Sequence, residues 1–161
     1  MTRAFNHLLL FSLFGIAMWF FGNLYEAIVI GPNMLQNSVH QLQAWRNFFV
    51  VTNPVFFYVP VPQLATVAVI ILFIKTPADK TEIKRYLKTA TIFQVVSIIL
   101  SVYIITQLNM KLFFGDLSQY QDQLNGLALQ WNILNLIRVC MAAVVLVFVF
   151  RAYVQTQKLM N

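Results

Sequence analysis

The chain has 161 residues, 60% of them hydrophobic and 10% charged, with a mean hydropathy of +0.71; soluble domains carry about 25% charged residues, so the composition excludes one and calls for surrounding lipid. The net charge of +6 comes without a basic stripe interleaved with aromatics, which argues against a nucleic-acid partner and makes the cations signals of orientation toward anionic lipid. One cysteine, Cys140, set in an apolar run, excludes an intrachain disulfide and dithiol exchange.

Four helices of about 20 residues with short connections use nearly the whole length. The expected fold is therefore all-α, a single four-helix transmembrane domain over 1–161 with a short surface helix between helices 1 and 2. The first span is expected over 8–30. Its apolar run, Leu8 to Ile30, exceeds the core of a secretory signal and no small-x-small cleavage pattern follows, so it is expected to be retained. Gly31-Pro32 ends it, because proline lacks an N–H and disfavours a helical residue before it. Beyond it, Val39, Leu42 and Trp45 recur at three-residue spacing among Gln36, Gln41 and Gln43, the pattern of a helix lying on the outer surface.

The apolar run 62–74 rises only about 18 Å as a helix, short of a roughly 30 Å hydrocarbon core. The second span is therefore expected over 54–74, with Asn53 as its cap, Pro54 in its first turn, and Pro60 and Pro62 kinking its outer half. Thr76-Pro77-Ala78-Asp79 reads as the cap and first turn of the third helix. The charged opening of that helix, Lys80 to Lys88, stands among headgroups before 89–108 cross. The fourth helix begins near Asp122 and crosses over 131–151.

Orientation follows from the lysines and arginines, since positive loops stay cytoplasmic. Arg3, then Lys75, Lys80, Lys84, Arg85 and Lys88, then Arg151 and Lys158 all fall on one side, against Arg46 and Lys111 on the other. Both termini are expected inside, in the cell (inner) membrane.

Ionisable residues within a span cost roughly 2.5–3.5 kcal/mol each on insertion scales, so each needs a partner or a purpose. Glu26, about 9 Å below the outer end of its helix, and Arg138, at a comparable depth, are most simply paired. Trp19, Asn23 and Glu26 follow helical offsets of four and three, as do Trp131, Asn135 and Arg138, so each helix carries one polar stripe. Asn132 adds an amide, Gly15 and Gly22 allow close approach, and Asn53, Asn109, Tyr25 and Tyr103 are further candidates. Two readings stand side by side. In one, Arg138 holds an anion or a ketone oxygen in a buried, outward-facing pocket while Glu26 balances charge or moves a proton. In the other, the pair fixes how helices 1 and 4 pack.

No metal and no cofactor are expected. His7 and His40 lie about 37 Å apart at opposite faces and cannot share a haem or metal. Asp116 and Asp122 lack metal-ligand spacing, and there is no phosphate loop or nucleophile elbow.

Taken together, Gly22-Asn23-Leu24-Tyr25-Glu26-Ala27 running to Pro32, Trp45 before the second span, and Trp131-Asn132-x-x-Asn135-x-x-Arg138 resemble the anthrone-oxygenase-like family of small four-helix membrane proteins. The resemblance covers nearly the whole chain and is most specific on the last helix. It implies a relative that oxidises anthrones, tricyclic phenolic ketones, with dioxygen and without flavin, haem or metal. Carried over, it places a lipophilic aromatic or quinone-like molecule beside Arg138. In this reading Arg138 and Asn135 steady an oxyanion, Glu26 or His40 is the base, and Trp19, Asn23, Asn53, Asn109, Trp131 and Asn132 surround the substrate. The competing expectation is a non-catalytic scaffold or transporter subunit. Membrane lipid is the expected partner, and the oligomeric state stays open.

Overall fold

Thr2 opens the first helix: its hydroxyl accepts the backbone N–H of Phe5 at 3.2 Å, satisfying one of the donors that a helix start leaves unpaired. The computed structural model describes residues 2–36 and 38–160, and among these every regular element is helical. Helix α1 runs Arg3–Gln36, α2 Ser38–Phe48, α3 Val61–Lys75, α4 Thr81–Phe114 and α5 Leu117–Lys158. By length and apolarity α1, α4 and α5 each suffice to cross a membrane.

Helix α1 does not stop at Gly31-Pro32. The turn before it, Glu26–Ile30, is π-helical, and the Gly31 N–H bonds to the Glu26 carbonyl. This wider turn shifts the register, so α-helix restarts at Gly31 with Pro32 in a first turn, where the missing proline donor has no bond to lose.

The second apolar stretch is not one helix either. A single turn over Pro54–Phe57 is separated from α3 by residues 58–60. A continuous helix would carry Pro60 and Pro62 in its interior, at about 3 kcal/mol each; restarting at Val61 leaves Pro62 in a first turn. The resulting 15-residue helix rises about 22 Å, less than the hydrocarbon thickness.

Thr76 also departs from expectation. It closes α3, its hydroxyl donating to the Leu72 carbonyl at 2.6 Å, and α4 starts only at Thr81. With its side chain held by the end of α3, Thr76 has no role as a cap for α4.

Two apolar clusters hold the helices together. At the end near the termini, Leu9 and Ile16 of α1 meet Val69 and Leu72 of α3, Ile83 and Leu87 of α4, and Val145 and Val149 of α5. At the other end, Met34, Leu42, Leu108, Leu112, Leu124 and Trp131 form the second, so α2 packs inward through Leu42. Outward, large apolar side chains such as Phe14, Phe21, Ile28, Ile74 and Ile99 lie exposed, a surface suited to lipid. Between the clusters lies a polar layer, where Gln94 Nε2 of α4 donates to Thr66 Oγ1 of α3 at 2.6 Å and the Glu26 and Arg138 side chains meet.

Candidate functional site

The polar stripes of α1 and α5 face each other. Arg138 is 5% and Glu26 7% exposed, and Arg138 Nη2 lies 3.4 Å from Glu26 Oε2. The same nitrogen donates to Asn135 Oδ1 at 2.6 Å. Asn135 Nδ2 in turn donates to the Asn23 carbonyl at 3.4 Å, and Asn23 Nδ2 to the Trp19 carbonyl at 2.6 Å. Five residues of the two stripes, Trp19, Asn23, Asn135, Arg138 and Glu26, thus form one chain of hydrogen bonds ending on the ion pair. The guanidinium also lies over the Trp19 ring, 5.2 Å from its centre.

A cavity of about 110 Å³ adjoins the pair. Glu26 and Arg138 line it together with Trp19, Trp45, Tyr58, Asn109 and Trp131. Trp131 Nε1 donates to Asn109 Oδ1 at 2.8 Å. Three other donors of the lining side chains, Trp19 Nε1, Trp45 Nε1 and Arg138 Nε, are buried without a partner. Buried N–H groups are almost always paired, so three without a partner on side chains around one hollow are donors held in reserve there, none of them itself open to it.

Both π-helical stretches border this cavity. Glu26 and Ile30 come from one, and Ile105, Asn109, Phe113 and Phe114 from the other, Ile104–Phe114. Insertions of this kind re-aim side chains without breaking the helix, and recur at functional sites. Helix α2 closes the top. Arg46 donates to the Leu112 carbonyl at 2.9 Å and the Lys111 carbonyl at 3.3 Å, covering carbonyls near the C-terminal end of α4. Its neighbour Trp45 stacks on Phe113 with ring centres 4.6 Å apart. Burial pulls the Arg46 guanidinium below its ordinary value, against the opposing pull of Asp116.

Not every residue expected at the site is there. His40 is exposed and lies in a separate groove with Arg46 and Asp116. It sits two positions from the buried Leu42, on the opposite face of α2, so it does not join Glu26 as a base. Asn132 packs where α5 crosses Gly31, whose missing side chain leaves room for the asparagine amide. Asn53 lines an outer groove rather than the inner cavity. Tyr25 is exposed on that same groove, and the Tyr103 hydroxyl accepts from Gln130 Nε2 at 3.1 Å on an exposed face. Asn135 and Asn23 stand behind the lining and steady Arg138.

Tyr58 is the residue that sequence reasoning missed. The break before Val61 turns it inward, onto the cavity wall that Glu26 also lines, with its ring edge-on to Trp19 and centres 5.2 Å apart. Gly22 makes this possible, since a side chain there would press on the Tyr58 ring. The Pro60 and Pro62 pair was the one available signal, read as kinks rather than as a break. Among the described residues no group of three or more His, Cys, Asp or Glu is arranged to hold a metal.

Comparison with protein families, with curated proteins and with solved structures finds no match for this chain.

Proposed function

We propose that this chain is a four-span protein of the cell (inner) membrane, both termini cytoplasmic, that binds a lipophilic aromatic or quinone-like small molecule in the cavity beside Arg138. The observation that carries the binding role is the set of unpaired donors at one hollow, Trp19 Nε1, Trp45 Nε1 and Arg138 Nε. A pair serving only to pack two helices would be expected to use its donors on protein acceptors, because buried charge is stable only when its hydrogen bonds are filled. The four-span topology rests on three long apolar helices, on α3 lengthened by the turn at Pro54–Phe57, and on the lysines and arginines gathered at the termini end.

The resemblance to the anthrone-oxygenase-like family adds a reaction to this reading. In that family's reaction one dioxygen converts the CH2 that lies between two aromatic carbons, across the ring from the carbonyl, into a second carbonyl and one water. Glu26 takes the proton from carbon, Arg138 steadies the oxygen that gains charge, and the apolar, aromatic surroundings of the cavity limit bulk water. The position of Glu26 on the cavity wall favours this chemistry over binding alone.

Native mass spectrometry of gently solubilised protein tests the binding role. A lipophilic adduct is expected on the unaltered chain and on Gln94→Leu, a buried change away from the cavity, but not on Arg138→Gln. A chain carrying no adduct, or an adduct indifferent to Arg138, would defeat the reading and leave the pair as a strut. Oxygen uptake on adding a phenolic ketone, absent in Glu26→Gln, tests the reaction separately.

A further inference from the structure

The cavity beside Arg138 is one half of a larger feature. Glu26, Ile30, Trp45, Pro54 and Tyr58 line both it and a second, open groove of about 950 Å³. The groove runs between α1 and the segment 48–58, and its other walls include Phe21, Phe48, Phe49, Phe56 and Phe57. Several of these rings are exposed on the outside of the bundle, Phe56 at 66%. A small chamber with the Glu26–Arg138 pair on its wall therefore adjoins a long apolar trough open to the surroundings.

Each half limits what occupies it. A cavity of about 150 Å³ accepts one benzene ring, so the chamber, at about 110 Å³, admits one ring at most and only where it opens on the groove, with the rest of any ligand lying outside it. The indole and guanidinium side chains on the chamber walls carry N–H groups that no protein acceptor fills, so acceptor oxygens complement it. The Arg138 charge already faces Glu26 at 3.4 Å, and a second carboxylate would set like charges together in a low dielectric. A neutral carbonyl satisfies the donors without that penalty. Open to the outside along its length, the trough offers a hydrocarbon chain a path that the chamber cannot.

We infer that the ligand is a neutral, single-ring carbonyl compound bearing one long hydrocarbon chain, its ring in the chamber and its chain in the groove, taken up sideways from the bilayer. This deepens the binding role proposed above and rests on it.

Photolabelling tests the inference. The intact protein in lipid nanodiscs receives a fully substituted benzoquinone whose decyl chain ends in a diazirine, is illuminated, and is mapped by peptide mass spectrometry. Adducts should concentrate on the segment 48–57, about tenfold above those on Ile99 of α4, a side chain as exposed, at 65%, as Phe56. Excess unlabelled decyl-benzoquinone should suppress them and decanoic acid should not. Trp45→Phe, which keeps a ring but removes one unpaired donor, should weaken labelling about fivefold, as loss of one hydrogen bond does. Adducts spread evenly over the lipid-facing helices, or suppression by decanoic acid as strong as by the quinone, would overturn the inference. A tailless benzoquinone separates the two levels. If it binds the unaltered protein but not Arg138→Gln while the chain labels nothing in particular, the chain assignment fails alone; if it does not bind, the binding role fails with it.

Discussion

Arg138 meets Glu26 through a single nitrogen, Nη2, which also holds Asn135 Oδ1, while Nε of the same guanidinium has no partner. The contact balances charge without using up the donors, and this sets the first expectation. Arg138→Ala leaves a buried carboxylate unpaired and should cost about 3–5 kcal/mol. Adding Glu26→Gln should recover much of that loss, read by unfolding in a denaturing detergent. Equal stability of the single and double variants would mean that the charges do not interact.

Thr66 and Gln94 form the second buried contact between helices. Thr66→Val leaves the Gln94 amide donor unsatisfied and should cost about 1–3 kcal/mol, whereas Thr66→Val with Gln94→Leu should be milder than either single change. Thermal unfolding of the four proteins gives the comparison. A double variant as weak as the sum of the two would contradict it.

Trp131 and Asn109 join α5 to the π-helical end of α4. A double-mutant cycle with Trp131→Phe and Asn109→Leu should return a coupling of about 0.6 kcal/mol, rising toward about 1.7, the range of hydrogen bonds between membrane helices. Zero coupling would show that the bond contributes nothing net.

Asp116, between α4 and α5, supplies a pH dependence. Hydrogen bonds from the Ser118 hydroxyl and backbone N–H hold its carboxyl below the ordinary value of 3.8. With the folded value depressed, its contribution is complete above 3.8 and fades as pH falls through the lower folded value. Asp116→Asn should therefore flatten the acid side of a stability curve below about pH 4 while changing little near neutrality. A curve unchanged on the acid side would refute this.

Arg46 anchors the roof of the cavity. Arg46→Gln should free the Lys111 and Leu112 carbonyls and raise hydrogen exchange in α2 and at the end of α4, with the termini end unaffected. Uniform exchange along the chain would show that the anchor is not local.

Hydropathy made the long helices legible, since runs such as Leu8 to Ile30 are long and apolar enough to cross a bilayer. Depth arithmetic brought Glu26 and Arg138 to one level, because rise per residue is nearly constant in a helix. What escaped were the consequences of proline, which depend on whether the chain breaks or shifts its register. Pro32 was absorbed by a π turn and Pro60 was not, and spacing alone does not distinguish the two. Tyr58 and the roof role of Trp45 followed from those choices. His40 was misplaced for a simpler reason: nearness to the outer surface says nothing of which face of α2 a residue occupies.

All three tryptophans of the chain, Trp19, Trp45 and Trp131, border the same hollow. Light absorbed at the red edge of the protein spectrum is therefore re-emitted from around a single place. Colour and lifetime of that glow become a built-in gauge of how dry or occupied the hollow is, with no dye attached and no residue changed.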